Sequence, residues 1–139
     1  MSENAHSQDR RAQAEAVIAA LNRRDFAALA EMGLHPDMEF RSAFAVAEGG
    51  TYRGLQGLRE WATTVDSAFD DFRSELIEFR EVDDERAVVV LRNTGKATAS
   101  HIPIDVRSGQ VWTWREGLMW RNDVYRYVHE AFAAVGLPE

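Results

Sequence analysis

The chain has 139 residues, of which 45% are hydrophobic and 28% are charged, values typical of one globular domain with a real core. Its 23 acidic side chains outnumber the 16 basic ones, and the net charge of −7 disfavours nucleic acid and anionic membranes as partners. The absence of cysteine excludes disulfides, thiolate metal sites and a cysteine nucleophile.

The start of the chain is polar and lacks the apolar core of a secretion signal. No apolar run approaches the ~20 residues needed to span a bilayer, so we expect a cytoplasmic protein. The four histidines show no metal-ligand spacing, and no nucleotide fingerprint or serine-nucleophile elbow is present. We therefore expect neither a metal nor a cofactor. We expect residues 1–139 to form a single domain, with residues 1–8 disordered.

Three helices are predicted in the first half of the chain. The first begins at Ser7 or Asp9 as its N-cap and carries apolar residues on one face as far as residue 22. Asp25 caps a short second helix. A strand at 38–42 and a loop with several glycines follow, and a third helix begins near residue 57 and is closed by residues 70–71.

The second half of the chain has the two-residue period of strands. A turn is predicted at Ser108-Gly109, and a final helix at 128–135. Helices followed by a meander of strands indicate an α+β fold whose helices cover one face of an antiparallel sheet. The predicted strands are 72–81, 86–93, 96–106, 110–115 and 118–127.

The last hairpin has two possible turns. A two-residue loop at Glu116-Gly117 would need positive φ at both residues, which glycine accepts and glutamate resists. We therefore favour a three-residue loop that begins at Arg115, in which the glycine takes the left-handed position and forms a bulge.

This turn sets the register of the hairpin, with Trp112 opposite Trp120 and Gln110 opposite Asn122. The face that results is an aromatic wall with a polar pair at its middle, which indicates either a pocket lining or a sheet face packed on a helix. The residues on this face are Gln110, Trp112, Trp114, Leu118, Trp120, Asn122, Val124 and Arg126.

Several segments, in their order along the chain, resemble the SnoaL-like family of the nuclear transport factor 2-like superfamily. They are AVIAALNRRDFAAL, HPDMEF, GGTYRG, DDFRSEL, RAVVVL, VWTWREG and YRYVHEAFAAVGL. The resemblance implies a cone-shaped, strongly curved, mixed or antiparallel sheet wrapped around the N-terminal helices, with a C-terminal helix. It also implies a cavity at the wide end and often a dimer formed through sheet faces. The fold hosts isomerases, cyclases, hydrolases, dehydratases and proteins without catalysis, so it does not identify the chemistry.

The chemistries known for this fold can be compared position by position. The base and the two oxyanion donors of ketosteroid isomerases correspond to Arg41, Val17 and Gln110, so none of these roles is retained. The essential aspartate of limonene epoxide hydrolases corresponds to Val124. For SnoaL-type polyketide cyclases the nearest acid is Asp123, which points to the opposite face in the predicted register.

Other charged residues, outside the family's known catalytic positions, are candidates for catalysis or ligand binding. His101 and Asp105 are a weak catalytic pair, because an aspartate can orient an imidazole for acid–base work; the alternative is a solvent-exposed edge segment. Arg126 and Arg92 near a cavity mouth would favour an anionic ligand, and the alternative is a salt bridge to an acidic side chain. Small relatives often have glycine at the position of His101 and aspartate at that of Tyr127.

The ligand-binding prediction is centred on amide and aromatic side chains. Gln110 and Asn122 can hold a ligand oxygen without a charge change, or they can simply satisfy each other. Tyr52 offers a hydroxyl from the glycine-rich loop unless it packs on the third helix, and Trp61 is mainly core or the cavity floor. The aromatic and apolar contact area would come from Trp112, Trp114, Trp120 and Val124.

Three functions remain open: an enzyme of isomerase, cyclase or hydrolase type, a ligand-binding module without turnover, and a dimeric structural domain. An ionisable group inside the cavity would favour the enzyme over the binding module. A cavity below the ~300 Å³ typical of ligand sites would favour the structural domain. We predict a homodimer formed through the outward sheet face, which mixes apolar and charged side chains. The residues of that face are Val111, Met119, Arg121, Asp123, Tyr125 and Tyr127.

Overall fold

The computed structural model describes the backbone of residues 3–42 and 51–139, and the side chains from residue 9 onward within these ranges. Its first three helices lie before residue 69, and its fourth follows the last strand. The chain therefore lacks the strict alternation of strand and helix found in βαβ proteins. In chain order the elements are α1 (Glu3–Arg23), α2 (Phe26–Leu29), β1 (Leu34–Ser42), β2 (Thr51–Arg53), α3 (Gly54–Ala68), β3 (Phe69–Glu81), β4 (Arg86–Ala97), β5 (Pro103–Arg115), β6 (Leu118–Tyr125) and α4 (Val128–Ala134).

The described strands form one curved, unclosed sheet in the order β2-β1-β6-β5-β4-β3. β1 runs parallel to β6, and every other neighbouring pair is antiparallel. The predicted α+β fold, with N-terminal helices, a curved mixed sheet and a C-terminal helix, is confirmed.

The two faces of the sheet bury separate apolar clusters, as the two-residue period requires. On the inner face, Val89 and Trp112 pack with residues of α1 and α3, such as Val17 and Leu58. On the outer face a smaller cluster consists of Val88, Val90, Val111, Ala131 and Phe132, so α4 covers this part of the sheet from outside.

Several predicted boundaries shift. α1 begins at Glu3, ahead of the predicted cap at Ser7 or Asp9, and α3 begins at Gly54 and ends at Ala68. Residues 70–71, expected to close α3, belong to β3, and the short strand β2 replaces part of the predicted loop.

The predicted turn at Ser108-Gly109 is wrong, because β5 runs without interruption through both residues. The chain turns instead between β4 and β5, where His101 has φ 61° and its N–H donates to the Ala97 carbonyl at 2.8 Å. Gly109 serves helix packing: a Cβ added there would lie 2.8 Å from the Cβ of Ala131 in α4.

The predicted outward face also changes. Val111 is 5% exposed beneath α4, and Met119 belongs to the inner core, so neither side chain is available to a partner. The outer surface of β1 and β6 carries charged pairs instead, with Arg41 3.7 Å from Asp123 and Arg121 3.7 Å from Glu39. Within the described ranges, no helix is both long enough and apolar enough to span a membrane.

Candidate functional site

The β5–β6 hairpin closes through a two-residue turn. Arg115 pairs with Leu118, and the two residues between them, Glu116 and Gly117, have φ 56° and 79°. The predicted three-residue loop is therefore wrong. Positive φ at both positions is the geometry of the type I′ turn, whose twist matches that of the flanking strands, and this match outweighs the reluctance of glutamate to adopt it.

The bulge lies in β6 instead of in the turn. Thr113 pairs with Arg121 and Trp114 with Met119, which leaves Trp120 without an opposite residue. The indole of Trp120 has guanidinium carbons of Arg115 and Arg121 at 3.6 and 4.2 Å from its ring centroid, and it does not line the cavity.

Beyond the bulge the register differs from the predicted one, but the parity is the same. Trp112 lies opposite Asn122, and Gln110 lies opposite Val124. All four side chains face the inner side of the sheet, where they line a cavity of about 110 Å³. The residues around the cavity are Val17, Ile18, Leu21, Asn22, Met38, Phe40, Ser42, Leu58, Trp61, Ser74, Leu91, Asn93, Ser108, Gln110, Trp112, Met119, Asn122 and Val124.

The polar groups of this wall are all amides and hydroxyls. In the part of the chain that the structure describes, no Asp, Glu, His, Lys, Arg or Tyr side chain lines the cavity. The described residues also contain no cluster of three or more His, Asp or Glu side chains that could hold a metal ion. The described walls of the cavity therefore offer hydrogen bonds but no group that exchanges a proton near neutral pH.

A chain of hydrogen bonds crosses β3, β4 and β5 at one side of the cavity. The Asn22 amide donates to the Ser74 carbonyl at 2.8 Å and accepts from the Ser74 N–H at 2.9 Å, which ties the end of α1 to β3. Ser74 Oγ donates to Asn93 Oδ1 at 2.8 Å, and Asn93 Nδ2 donates to Ser108 Oγ at 3.1 Å. Both ends of the Asn93 amide are satisfied by these bonds.

Gln110 and Asn122 do not belong to this series of hydrogen bonds. Trp112 Nε1 donates to Gln110 Oε1 at 2.7 Å. Because an indole N–H can only donate, this bond fixes the orientation of the Gln110 amide and leaves its Nε2 group for another partner. Asn122 is 6% exposed, and its Oδ1 has no hydrogen-bond partner in the described structure. The alternative in which these two amides bond to each other is absent from the described contacts.

Several predicted ligand-binding residues lie away from the cavity. Trp114 is buried deeper, where its Nε1 donates to Gln13 Oε1 at 2.7 Å. Tyr52 is 9% exposed and packs on Phe40 and against Gly57 of α3, which is the structural alternative for this residue. Arg126 follows β6 and is exposed to solvent.

The charged candidates lie outside as well. Asp105 accepts two hydrogen bonds from Arg92, at 2.8 and 2.6 Å, and this guanidinium lowers the pKa of the carboxyl group. His101 is exposed in the turn before β5. Asp123 lies on the outer face, where burial raises its pKa against the opposing effect of Arg41. None of these three candidate acid–base groups reaches the cavity.

The backbone accounts for the glycine and the aspartate that small relatives often have at positions 101 and 127. His101 has φ 61°, the left-handed region in which glycine is unstrained. Tyr127 is the N-cap of α4, where an aspartate side chain would accept from the first turn of the helix. Here the Tyr127 N–H donates to Glu130 Oε1 at 3.1 Å, which satisfies only one side of such a cap.

The hydrogen bonds that link Ser74, Asn93 and Ser108 were not predicted from the sequence, although the alternation of residues along β4 indicates one of these inward side chains. Asn93 continues the alternation of inward residues in β4 after Val89 and Leu91, so its parity predicts an inward amide. Ser108 shares the parity of Gln110, but the turn predicted at this point obscured it.

A family model of the SnoaL-like domain matches residues 14–122. A hypothetical protein with a ketosteroid isomerase-like fold from Catenulispora acidiphila, in complex with trimethylamine, superposes with a TM-score of 0.69 at 17% identity, over 91% of this chain and 93% of that one. TerC, co-crystallised with polyporic acid, gives 0.73 at 23% identity, over 91% and 97% of the two chains. A Jannaschia protein assigned as a SnoaL-like polyketide cyclase gives 0.70 at 13% identity, over 95% and 94%. Among curated proteins no sequence matches this chain. At these identities the structural likeness establishes the fold alone.

Proposed function

We propose that this protein, which belongs to the SnoaL-like domain family, binds a compact, uncharged and largely apolar molecule in the cavity between α1, α3 and the sheet. The binding side chains would be Trp61, Trp112 and Val124 for contact area, with Gln110 and Asn122 for orientation. Binding without acid–base turnover is favoured over an isomerase or cyclase activity.

The observation that carries this proposal is the buried Oδ1 of Asn122. A buried acceptor without a donor costs about 1–3 kcal/mol, so natural proteins rarely leave one in place without a use. This acceptor belongs to a cavity wall that is mostly apolar and on which Ser74, Asn93 and Ser108 bond to one another. A molecule that donates to it would recover that energy on binding.

The uncharged wall supports binding over catalysis. Known enzymes of this fold place carboxylates in the cavity, but two of the corresponding positions here are Gln110 and Val124, both on the cavity wall and neither ionisable. Arg41, at the position of the ketosteroid isomerase base, is instead paired with Asp123 on the outer face. A neutral wall also argues against a charged ligand, because an ion would lose its hydration without gaining an opposite charge.

The volume limits the size of the ligand. An apolar cavity of ~150 Å³ holds one benzene molecule, so 110 Å³ suits about one small ring or fewer atoms. This is the scale of the trimethylamine held by the Catenulispora structure and not of a polycyclic product.

The small volume also favours a second candidate, a structural dimeric domain, since 110 Å³ lies below the ~300 Å³ of typical ligand sites. In that case the homodimer would form through the outer surface of β1 and β6 and exchange the pairs made by Arg41 and Arg121 across a two-fold axis. Sedimentation velocity measures this directly: we expect a dimer at micromolar concentration, and a monomer at high concentration would contradict it.

Binding is tested with neutral single-ring fragments, monitored by the fluorescence of Trp61 and Trp112. We expect Val124→Phe, which fills the cavity from β6, to abolish the response. Val106→Phe is the matched control, because Val106 is 50% exposed and lies outside the cavity. A fragment response that survives Val124→Phe, or no response in the unmodified protein, would reject the cavity as a binding site.

A further inference from the structure

We infer that the ligand of this cavity carries a hydroxyl group, which accepts a hydrogen bond from Gln110 and donates one to Asn122. The inference rests on the proposed function and names the chemical class that the site selects: a compact alcohol or a single-ring phenol. It follows from the orientation of each amide and from the neighbouring groups that are already bonded.

Gln110 is the donor of the pair. Its Oε1 is occupied by the indole N–H of Trp112 at 2.7 Å, and a rotated amide would bring two donors face to face. The group that Gln110 can offer to a ligand is therefore its Nε2, and this polarity is fixed by the fold.

Asn122 is the acceptor of the pair, because its Oδ1 is the buried oxygen without a donor. It lies directly opposite Trp112, whereas Gln110 lies two residues earlier on β5, so the two amides are diagonal neighbours on the same sheet face. Diagonal neighbours in antiparallel strands lie about 7–8 Å apart, within reach of one atom held between two long side chains.

The hydrogen-bonded chain beside Gln110 supplies one more donor to a ligand. Ser74, Asn93 and Ser108 bond to one another in sequence, which leaves the Ser108 O–H as a further donor two residues from Gln110. A ligand group placed between Gln110 and Asn122 therefore meets donors from β5, the Gln110 Nε2 and the Ser108 O–H, and an acceptor from β6, the Asn122 Oδ1. A hydroxyl satisfies both requirements, because it accepts through its lone pairs and donates its one proton. A carbonyl or an ether only accepts, and an ammonium group only donates.

The test compares matched ligands that differ only in the hydroxyl group: phenol with toluene, and cyclopentanol with methylcyclopentane. Affinities are measured by calorimetry or by tryptophan fluorescence. We expect the hydroxyl member of each pair to bind about tenfold more tightly, the ratio that one well-made hydrogen bond supplies. In Asn122→Leu, which keeps the approximate shape of the side chain, the preference should fall to about twofold or vanish while the hydrocarbon still binds.

The outcomes separate the two claims. Equal affinity for both members of a pair in the unmodified protein would leave the binding cavity standing and overturn the hydroxyl inference. A preference that stays at about tenfold in Asn122→Leu would likewise overturn it. If none of the four molecules binds, the proposed function fails as well. Anisole, which is an acceptor without a proton, provides a third comparison, and tight binding of anisole would contradict the role of Asn122 as acceptor.

Discussion

Asn93 and Asn122 are two buried asparagines on the inner face of the sheet, and the same substitution should change stability in opposite directions at the two positions. Asn93 is 9% exposed and bonds at both ends, to Ser74 and Ser108, whereas Asn122 is 6% exposed with an unpartnered Oδ1. Leucine approximates the shape of asparagine without its polar atoms. The pair therefore isolates hydrogen bonding from packing.

The magnitudes follow from the bonds. In Asn122→Leu an unsatisfied buried acceptor is removed, and the ligand-free protein should gain about 1–3 kcal/mol in unfolding free energy. In Asn93→Leu two hydrogen bonds are lost, and the hydroxyls of half-buried Ser74 and buried Ser108 lose their partner, so a loss of about 2–4 kcal/mol is expected. With a urea m-value of about 2 kcal/mol/M, the unfolding midpoint should rise by about 0.5–1.5 M in Asn122→Leu and fall by about 1–2 M in Asn93→Leu.

Urea unfolding of the ligand-free protein, followed by circular dichroism and tryptophan fluorescence, measures both changes. Equal m-values would show that the substitutions alter stability and leave the extent of unfolding unchanged. If Asn122→Leu destabilises the protein as much as Asn93→Leu does, then the Asn122 amide is hydrogen-bonded, and the argument for an unsatisfied acceptor on the cavity wall is wrong.

Four further changes have defined outcomes. Gly109→Ala should lower stability by about 1–3 kcal/mol, seen as a lower thermal midpoint, because its Cβ would lie 2.8 Å from that of Ala131. Tyr127→Asp should raise stability by about 0.5–2 kcal/mol through an N-cap bond to α4, and an unchanged urea midpoint would contradict that cap. Glu116→Gly should raise stability by about 1 kcal/mol, measured in the same way, since it relieves positive φ in the turn. Burial raises the pKa of Asp123, so the folded state favours the protonated carboxyl group. The resulting stabilisation is present at low pH and declines as the pH rises through that pKa. Asp123→Asn should therefore stabilise the protein at pH 7 more than at pH 3, as measured by urea unfolding at a series of pH values.

The parity of the cavity wall could be predicted because alternation is a local property. Gln110, Trp112, Asn122 and Val124 share one side of the sheet in either version of the hairpin, since the bulge in β6 restores the shift that the shorter turn introduces. The α+β class was predicted from short-range patterns in the same way, whereas the curved mixed sheet was implied by the resemblance to the SnoaL-like family.

The remaining errors come from contacts between segments distant in sequence. Gly109 has the local signature of a turn, and only the close approach of α4 explains why a strand needs glycine there. The position of Trp120 depends on where the bulge falls, which is set by strand twist and by packing on both sides of β6. The partners of Asn93 lie on β3 and β5, so parity indicates an inward amide but not whether that amide is satisfied.

The candidate catalytic carboxylates of this protein and its cavity lie on opposite faces of the sheet. Carboxylates that sequence reasoning considered for catalysis, Asp105 and Asp123, lie on the outer side beside arginines, whereas the inner wall holds amides and hydroxyls. An amide offers the same hydrogen-bond directions as a carboxylic acid but has no proton to transfer, so replacing acids by amides keeps recognition and removes acid–base chemistry. Because the described residues of the inner wall include no Asp, Glu, His, Lys, Arg or Tyr, the selectivity of this part of the wall depends on the direction of hydrogen bonds and not on charge. The buried Asn122 oxygen and the fixed Gln110 nitrogen are the two groups through which such a wall distinguishes one small neutral molecule from another.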